Sequence, residues 1–181
     1  MKSVYGLVLF IFSLLHFPTA GQLISPTLPQ KIEQSEKYLF YLHGGVVTVL
    51  GNNAINQSMP EWGPYEYLNI LDSLRSRGFN IISENRKEGI DDSVYVNKIL
   101  NQIDTLFKSG VKPENILVVG ASAGSVITIN VSARLKNREM KYVVWEAAGP
   151  TPIKTISILS CTGIFFPLLN QAIPWYLFQD I

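Results

Sequence analysis

The chain has 181 residues, which is enough for one domain with a sizeable hydrophobic core. Its formal net charge is +1, so its charge balance gives no indication of nucleic acid or another polyanionic partner. Cys161 is the single cysteine of the sequence, which excludes an intrachain disulfide.

The first 21 residues have the pattern of a secretory signal peptide. Lys2 supplies a positive charge, residues 7–17 are almost wholly apolar, and small residues around Ala20 suit a cleavage site. This apolar core is shorter than the roughly 20 residues of a membrane-spanning helix. We therefore expect an exported protein, periplasmic or secreted, with an uncleaved N-terminal membrane anchor as the alternative.

Strands and helices are predicted to alternate through residues 22–150, which form the expected domain. Short apolar runs predict four buried strands, at 38–42, 79–83, 116–119 and 142–145. Apolar residues at helical spacing predict a helix in each interval, following Pro64, Asp91 and Ser122. Continuous apolar strands that alternate with helices indicate an α/β fold, in which helices cover both faces of a parallel sheet.

The C-terminal segment, residues 151–181, does not continue this alternation. It has no charged residue between Lys154 and Asp180, and Pro167 and Pro174 interrupt any helix. No strand or helix period is recognisable, so the sequence predicts no structure here and leaves the C-terminal part of the sheet incomplete. Its apolar character suggests a weak membrane association through residues 155–179.

The most informative motif is Gly120-Ala121-Ser122-Ala123-Gly124, which directly follows the apolar run at 116–119. A G-x-S-x-G string between a strand and a helix is typical of a nucleophile elbow, which raises the serine oxygen above the edge of a sheet. The alternative is a tight turn of small residues that only packs the helix against the sheet. A phosphate-binding loop is disfavoured, because no lysine follows the glycines.

A second motif, His43-Gly44-Gly45, ends the first predicted strand. With the elbow it resembles the α/β-hydrolase superfamily, in its esterase and lipase-like branch, over residues 37–148. The resemblance implies that Ser122 is the nucleophile and that the N–H groups of Ala123 and of Gly45 or Val46 form the oxyanion hole. It further implies hydrolysis of a small-molecule carboxylic ester or related acyl bond, with neither a metal nor an organic cofactor.

The family pattern is incomplete after Ser122, because no histidine follows it and the later acids are Glu139, Glu146 and Asp180. Glu146 ends a predicted strand and is the candidate acid. Three explanations stay open, in decreasing order of preference. The chain is a fragment or a frameshifted product, it is a non-catalytic binding module with this fold, or it uses His43 as an unorthodox base.

Two other groups lie near the expected carboxyl edge of the sheet. Glu84 and Arg86 follow the second predicted strand, and we interpret them as a solvated pair in a loop. The alternative is that Arg86 meets an anionic group of a substrate. Tyr65 lies near the start of the first predicted helix, where it could line the mouth of a pocket.

Overall fold

The computed structural model describes residues 24–52, 54–55, 60 and 63–148, and the strand backbones at 153–159 and 167–169. Side chains are described as far as Trp145. The predicted signal peptide lies outside the described residues, and so does most of the segment for which a membrane association is expected. Among the described helices, none combines the length and the apolar character needed to cross a membrane.

The described residues form one seven-stranded sheet flanked by helices, and the prediction of an α/β fold is confirmed. The elements in chain order are β1 (Ile24–Ser25), β2 (Lys37–Leu42), α1 (Gly45–Leu50), α2 (Tyr67–Arg75), β3 (Phe79–Ile82), α3 (Asp92–Lys108), β4 (Ile116–Ala121), α4 (Ala123–Leu135), β5 (Lys141–Ala148), β6 (Ile153–Leu159) and β7 (Pro167–Leu169).

The spatial order of the strands is β1-β3-β2-β4-β5-β6-β7. The first five strands run parallel, and β2 and β4 lie side by side at the centre of this parallel part. The carboxyl ends of β2 and β4 therefore meet at one edge of the sheet, with Leu42 in register with Gly120. Open α/β sheets bind their ligands at this edge.

Alternate residues of each strand face opposite sides of the sheet, and each side has its own core. On one side Tyr38 and Phe40 pack with apolar residues of α3 and α4. On the other side Leu39 and Tyr41 pack with α1 and α2. The strands are buried on both faces, which explains why their sequences are continuous apolar runs.

Four of the described elements were not predicted from the sequence. The strand β1 has only two residues, and α1 is made of apolar and β-branched residues that favour strands over helices. The strands β6 and β7 extend the sheet antiparallel to their neighbours, where the sequence predicted no structure. The connection from β5 to β6 consists of residues 149–152, whereas a connection between neighbouring parallel strands needs about a dozen residues or more. The short connection therefore allows only an antiparallel pairing of β5 with β6.

Candidate functional site

Ser122 occupies the sharp turn between β4 and α4, as the motif predicts. Its backbone has φ 50° and ψ −116°, a region that side chains disfavour, and within the described residues only Lys136 is another non-glycine with positive φ. Both backbone polar groups of Ser122 form hydrogen bonds that fix the turn. The Ser122 N–H donates to the Trp145 carbonyl at 2.7 Å, and the Ser122 carbonyl accepts from the Ser125 N–H at 2.8 Å.

The two glycines of the motif permit a very close approach of backbone segments. A Cβ atom on Gly120 would lie well inside van der Waals contact of the Gly124 carbonyl and the Thr128 hydroxyl. A Cβ atom on Gly124 would overlap the Leu42 carbonyl. These positions therefore require glycine so that α4 can begin directly against β2 and β4.

The side chain of Ser122 is exposed, and its Oγ makes no hydrogen bond to any described residue. The neighbouring Ser125 differs, because it is fully buried and its Oγ donates to the Gly120 carbonyl at 3.0 Å and the Trp145 carbonyl at 3.2 Å. Ser125 thus stabilises the turn, whereas the side chain of Ser122 is exposed to solvent.

The second motif lies beside the first. A Cβ atom on Gly44 would be 3.5 Å from the Ser122 Cβ, and one on Gly45 would be 3.6 Å from the Ala123 Cβ. Gly45 and Ala123 are the first residues of α1 and α4, and the first N–H groups of a helix have no partner within that helix. The structure thus brings Gly45 and Ala123 together next to Ser122, and Val46 follows Gly45 in α1.

His43 is fully buried, and both of its ring nitrogens are engaged with the backbone. Nε2 accepts a hydrogen bond from the Arg86 N–H at 3.0 Å, so the ring proton is on Nδ1, which donates to the Gly44 carbonyl at 2.8 Å. Burial lowers the pKa of His43 and favours this neutral form. His43 therefore fixes the backbone beside Ser122, and this arrangement leaves it no nitrogen with which to act as a base.

Arg86 is buried, and its interpretation as half of a solvated pair with Glu84 is wrong. Its Nη2 donates to the His43 carbonyl at 2.5 Å, and burial lowers the pKa of its guanidinium. The carboxylate of Glu84 instead accepts from Lys98 Nζ at 2.8 Å. Sequence reasoning missed the pairing of His43 with Arg86, because its partners lie 43 positions apart.

Glu146, the candidate acid, lies in β5, whose Trp145 is in register with Ala121 of β4. Its backbone therefore lies one residue beyond the register partner of Ala121, at the level of Ser122, and it pairs with Thr155 of β6. The side chain of Glu146 is not among the described ones, so its role as the acid stays a prediction.

A pair of tyrosine hydroxyls completes the surroundings of the turn. The Tyr41 and Tyr65 hydroxyls are 2.7 Å apart, and the Tyr65 hydroxyl also accepts from the Gly44 N–H at 3.3 Å. The sequence suggested Tyr65 as a pocket residue but did not indicate Tyr41, because Tyr41 belongs to an apolar strand whose side chains are typical of a core.

Comparisons of the chain with models of protein families, with curated proteins and with solved structures found no match. The fold class is therefore established by the sheet and its helices alone. None of these comparisons supports the resemblance to the α/β-hydrolases, which rests on the residues around Ser122 alone.

Proposed function

We propose that the chain is a serine hydrolase of the α/β-hydrolase type that cleaves a carboxylic ester or related acyl bond through an acyl-Ser122 intermediate. The observation that carries this proposal is the backbone of Ser122. Strained conformations of this kind are concentrated at functional sites. Here the strained residue carries a hydroxyl with no hydrogen bond to a described residue, at the carboxyl edge of the sheet, where open α/β sheets bind ligands.

The surrounding groups suit the chemistry of acyl transfer. The Ser122 Oγ would attack the carbonyl carbon of an ester, and the carbonyl electron pair would move to oxygen, forming an oxyanion. The N–H groups of Ala123 and of Gly45 or Val46 would donate to that oxyanion. The bond to the alcohol then breaks and the alcohol leaves with the proton of Oγ, after which water hydrolyses the acyl-serine. A single oxyanion donor contributes a factor of about 10²–10³ to kcat.

The second candidate function is a binding module with this fold and without turnover. The engagement of both His43 nitrogens favours it, because no other histidine lies in residues 22–181 to accept the proton of Oγ. A serine without a base is a weak nucleophile at neutral pH.

Labelling with a fluorophosphonate probe distinguishes the two functions. We expect mass spectrometry to find the adduct on Ser122 of the full chain, and we expect added imidazole, an external base, to accelerate labelling. Ser122→Ala is the negative control, and Ser76→Ala removes an exposed serine at the end of α2 without affecting the reaction. If Ser122 stays unlabelled even with imidazole, the hydrolase proposal fails and the binding module is favoured.

A further inference from the structure

The hydroxyl of Tyr65 has a donor proton that the described residues do not use. Tyr41 is fully buried, and its hydroxyl has one hydrogen-bond partner among the described residues, the hydroxyl of Tyr65. If Tyr65 were the donor in this pair, the proton of Tyr41 would be buried without an acceptor, which costs about 1–3 kcal/mol. Tyr41 is therefore the donor.

With Tyr41 as donor, the Tyr65 oxygen accepts two hydrogen bonds, one from the Tyr41 hydroxyl and one from the Gly44 N–H. A phenol oxygen has two acceptor positions and one proton, so both acceptor positions are filled and the O–H remains to donate. A hydroxyl that accepts hydrogen bonds is polarised and becomes a stronger donor. Tyr65 is only partly buried, unlike Tyr41, so a ligand can approach its side chain.

Tyr65 lies on the side of Gly44 that faces the turn. The same Cβ position on Gly44 that would be 3.5 Å from the Ser122 Cβ would be 3.4 Å from the Tyr65 Cε2. The ring of Tyr65 and the side chain of Ser122 thus both border the space above Gly44. Burial raises the pKa of Tyr65, so its hydroxyl stays protonated at neutral pH.

From this geometry we propose that the Tyr65 hydroxyl donates a hydrogen bond to the substrate oxygen that gains negative charge when Ser122 attacks. Tyr65 is then a catalytic residue and a side-chain member of the oxyanion hole, beside the backbone donors. The inference rests on the proposed function, since it assigns a partner to the oxyanion that Ser122 creates. Tyr41 acts through Tyr65 and is a positioning residue.

The test measures the inactivation of Ser122 by a fluorophosphonate in the presence of imidazole. In that reaction the bond from Oγ to phosphorus forms, the phosphorus–fluorine bond breaks, and fluoride and the Oγ proton leave to solvent. The phosphoryl oxygen gains charge as the carbonyl oxygen of an ester does. The maximal rate of inactivation and the half-saturating probe concentration are determined separately for each variant.

We expect Tyr65→Phe to lower the maximal rate about 100-fold, in the range of other oxyanion donors, with little change in half-saturation. Tyr41→Phe leaves the Tyr65 O–H in place and should lower the rate less than 10-fold. The matched control is Tyr95→Phe, because the Tyr95 hydroxyl likewise accepts a backbone N–H, that of Lys87, but lies on α3. Tyr95→Phe should react at the wild-type rate.

Incorporation of 3-fluorotyrosine at position 65 keeps the inference testable if Tyr65→Phe does not fold. The fluorine acidifies the phenol and strengthens the O–H donor, so inactivation should become faster. If Ser122 reacts but Tyr65→Phe or the fluorinated variant reacts at the wild-type rate, the role of Tyr65 is overturned and the hydrolase proposal stands. If Ser122 of the wild type does not react, both are overturned.

Discussion

Replacing Ser122 by glycine should make the protein more stable while removing the proposed nucleophile. A residue with a side chain held at φ 50° and ψ −116° costs on the order of 1–3 kcal/mol, and glycine adopts this conformation without that penalty. Against this gain, glycine loses more chain entropy on folding, roughly 0.5–1 kcal/mol. The exposed Oγ makes no hydrogen bond to a described residue, so its removal costs little.

The expected net effect is a stabilisation of about 1 kcal/mol, which raises Tm by about 2–4 °C in a domain of this size. Ser122→Ala removes the hydroxyl but keeps the Cβ atom, so it should leave stability nearly unchanged. Ala123→Gly is the matched control, because the adjacent residue is helical and has no positive φ. It should be destabilised by up to about 1 kcal/mol.

Urea denaturation followed by circular dichroism measures the free energy of unfolding of all three variants, and fluorophosphonate labelling measures the loss of the nucleophile. The reasoning is refuted if Ser122→Gly is no more stable than Ser122→Ala. A loss of stability equal to that of Ala123→Gly would show that the turn holds no strain that glycine can relieve.

Two further predictions concern the groups that support the turn. Gly124→Ala should lower the free energy of unfolding by about 3 kcal/mol or more, because its Cβ would overlap the Leu42 carbonyl, a backbone atom. The control is Gly45→Ala, because Gly45 has no positive φ and its Cβ would make an ordinary contact, 3.6 Å from the Ala123 Cβ. Equal losses in urea denaturation would contradict the packing argument. The second prediction concerns the buried His43, whose pKa is lowered by burial. Near and below pH 6.5 the folded state therefore binds fewer protons than the unfolded state. The free energy of unfolding should fall as the pH drops from about 6.5 towards the lowered pKa, by at most about 1.4 kcal/mol per pH unit. His43→Gln should lack this part of the pH dependence in denaturation curves at pH 7.5 and 5.5, and an unchanged slope would assign the dependence to other groups.

The local pattern of residues was sufficient to predict most of the fold. The apolar runs that became β2, β3, β4 and β5 are recognisable because both faces of a parallel sheet are buried. Asp91 caps α3 because its carboxylate accepts a hydrogen bond from the Ser93 N–H at 2.7 Å. Both residues are close together in the sequence, so the cap can be predicted from it. Elements whose signals are local in the chain could therefore be predicted.

The turn at Ser122 was also predictable, since a strand, two glycines and a helix start follow one another directly. What the sequence did not indicate was the helical state of α1, because its β-branched residues favour strands. The helix buries Val47 in the core that lies on one face of the sheet. Packing overrides such a weak local preference, because the burial of one large apolar side chain contributes about 1.5–3 kcal/mol.

By itself, then, the amino-acid sequence determined the α/β class, the position of the turn and the identity of the exposed serine. Only the tertiary structure decided what His43, Arg86, Tyr41 and Tyr65 do, because their partners are distant in the chain. The ring nitrogens of His43 are engaged by Gly44 and by Arg86, and the proton of Tyr41 is directed to Tyr65. Hydrogen bonds between distant segments depend on the register of β2 with its neighbouring strands. That register cannot be predicted from any local pattern of residues.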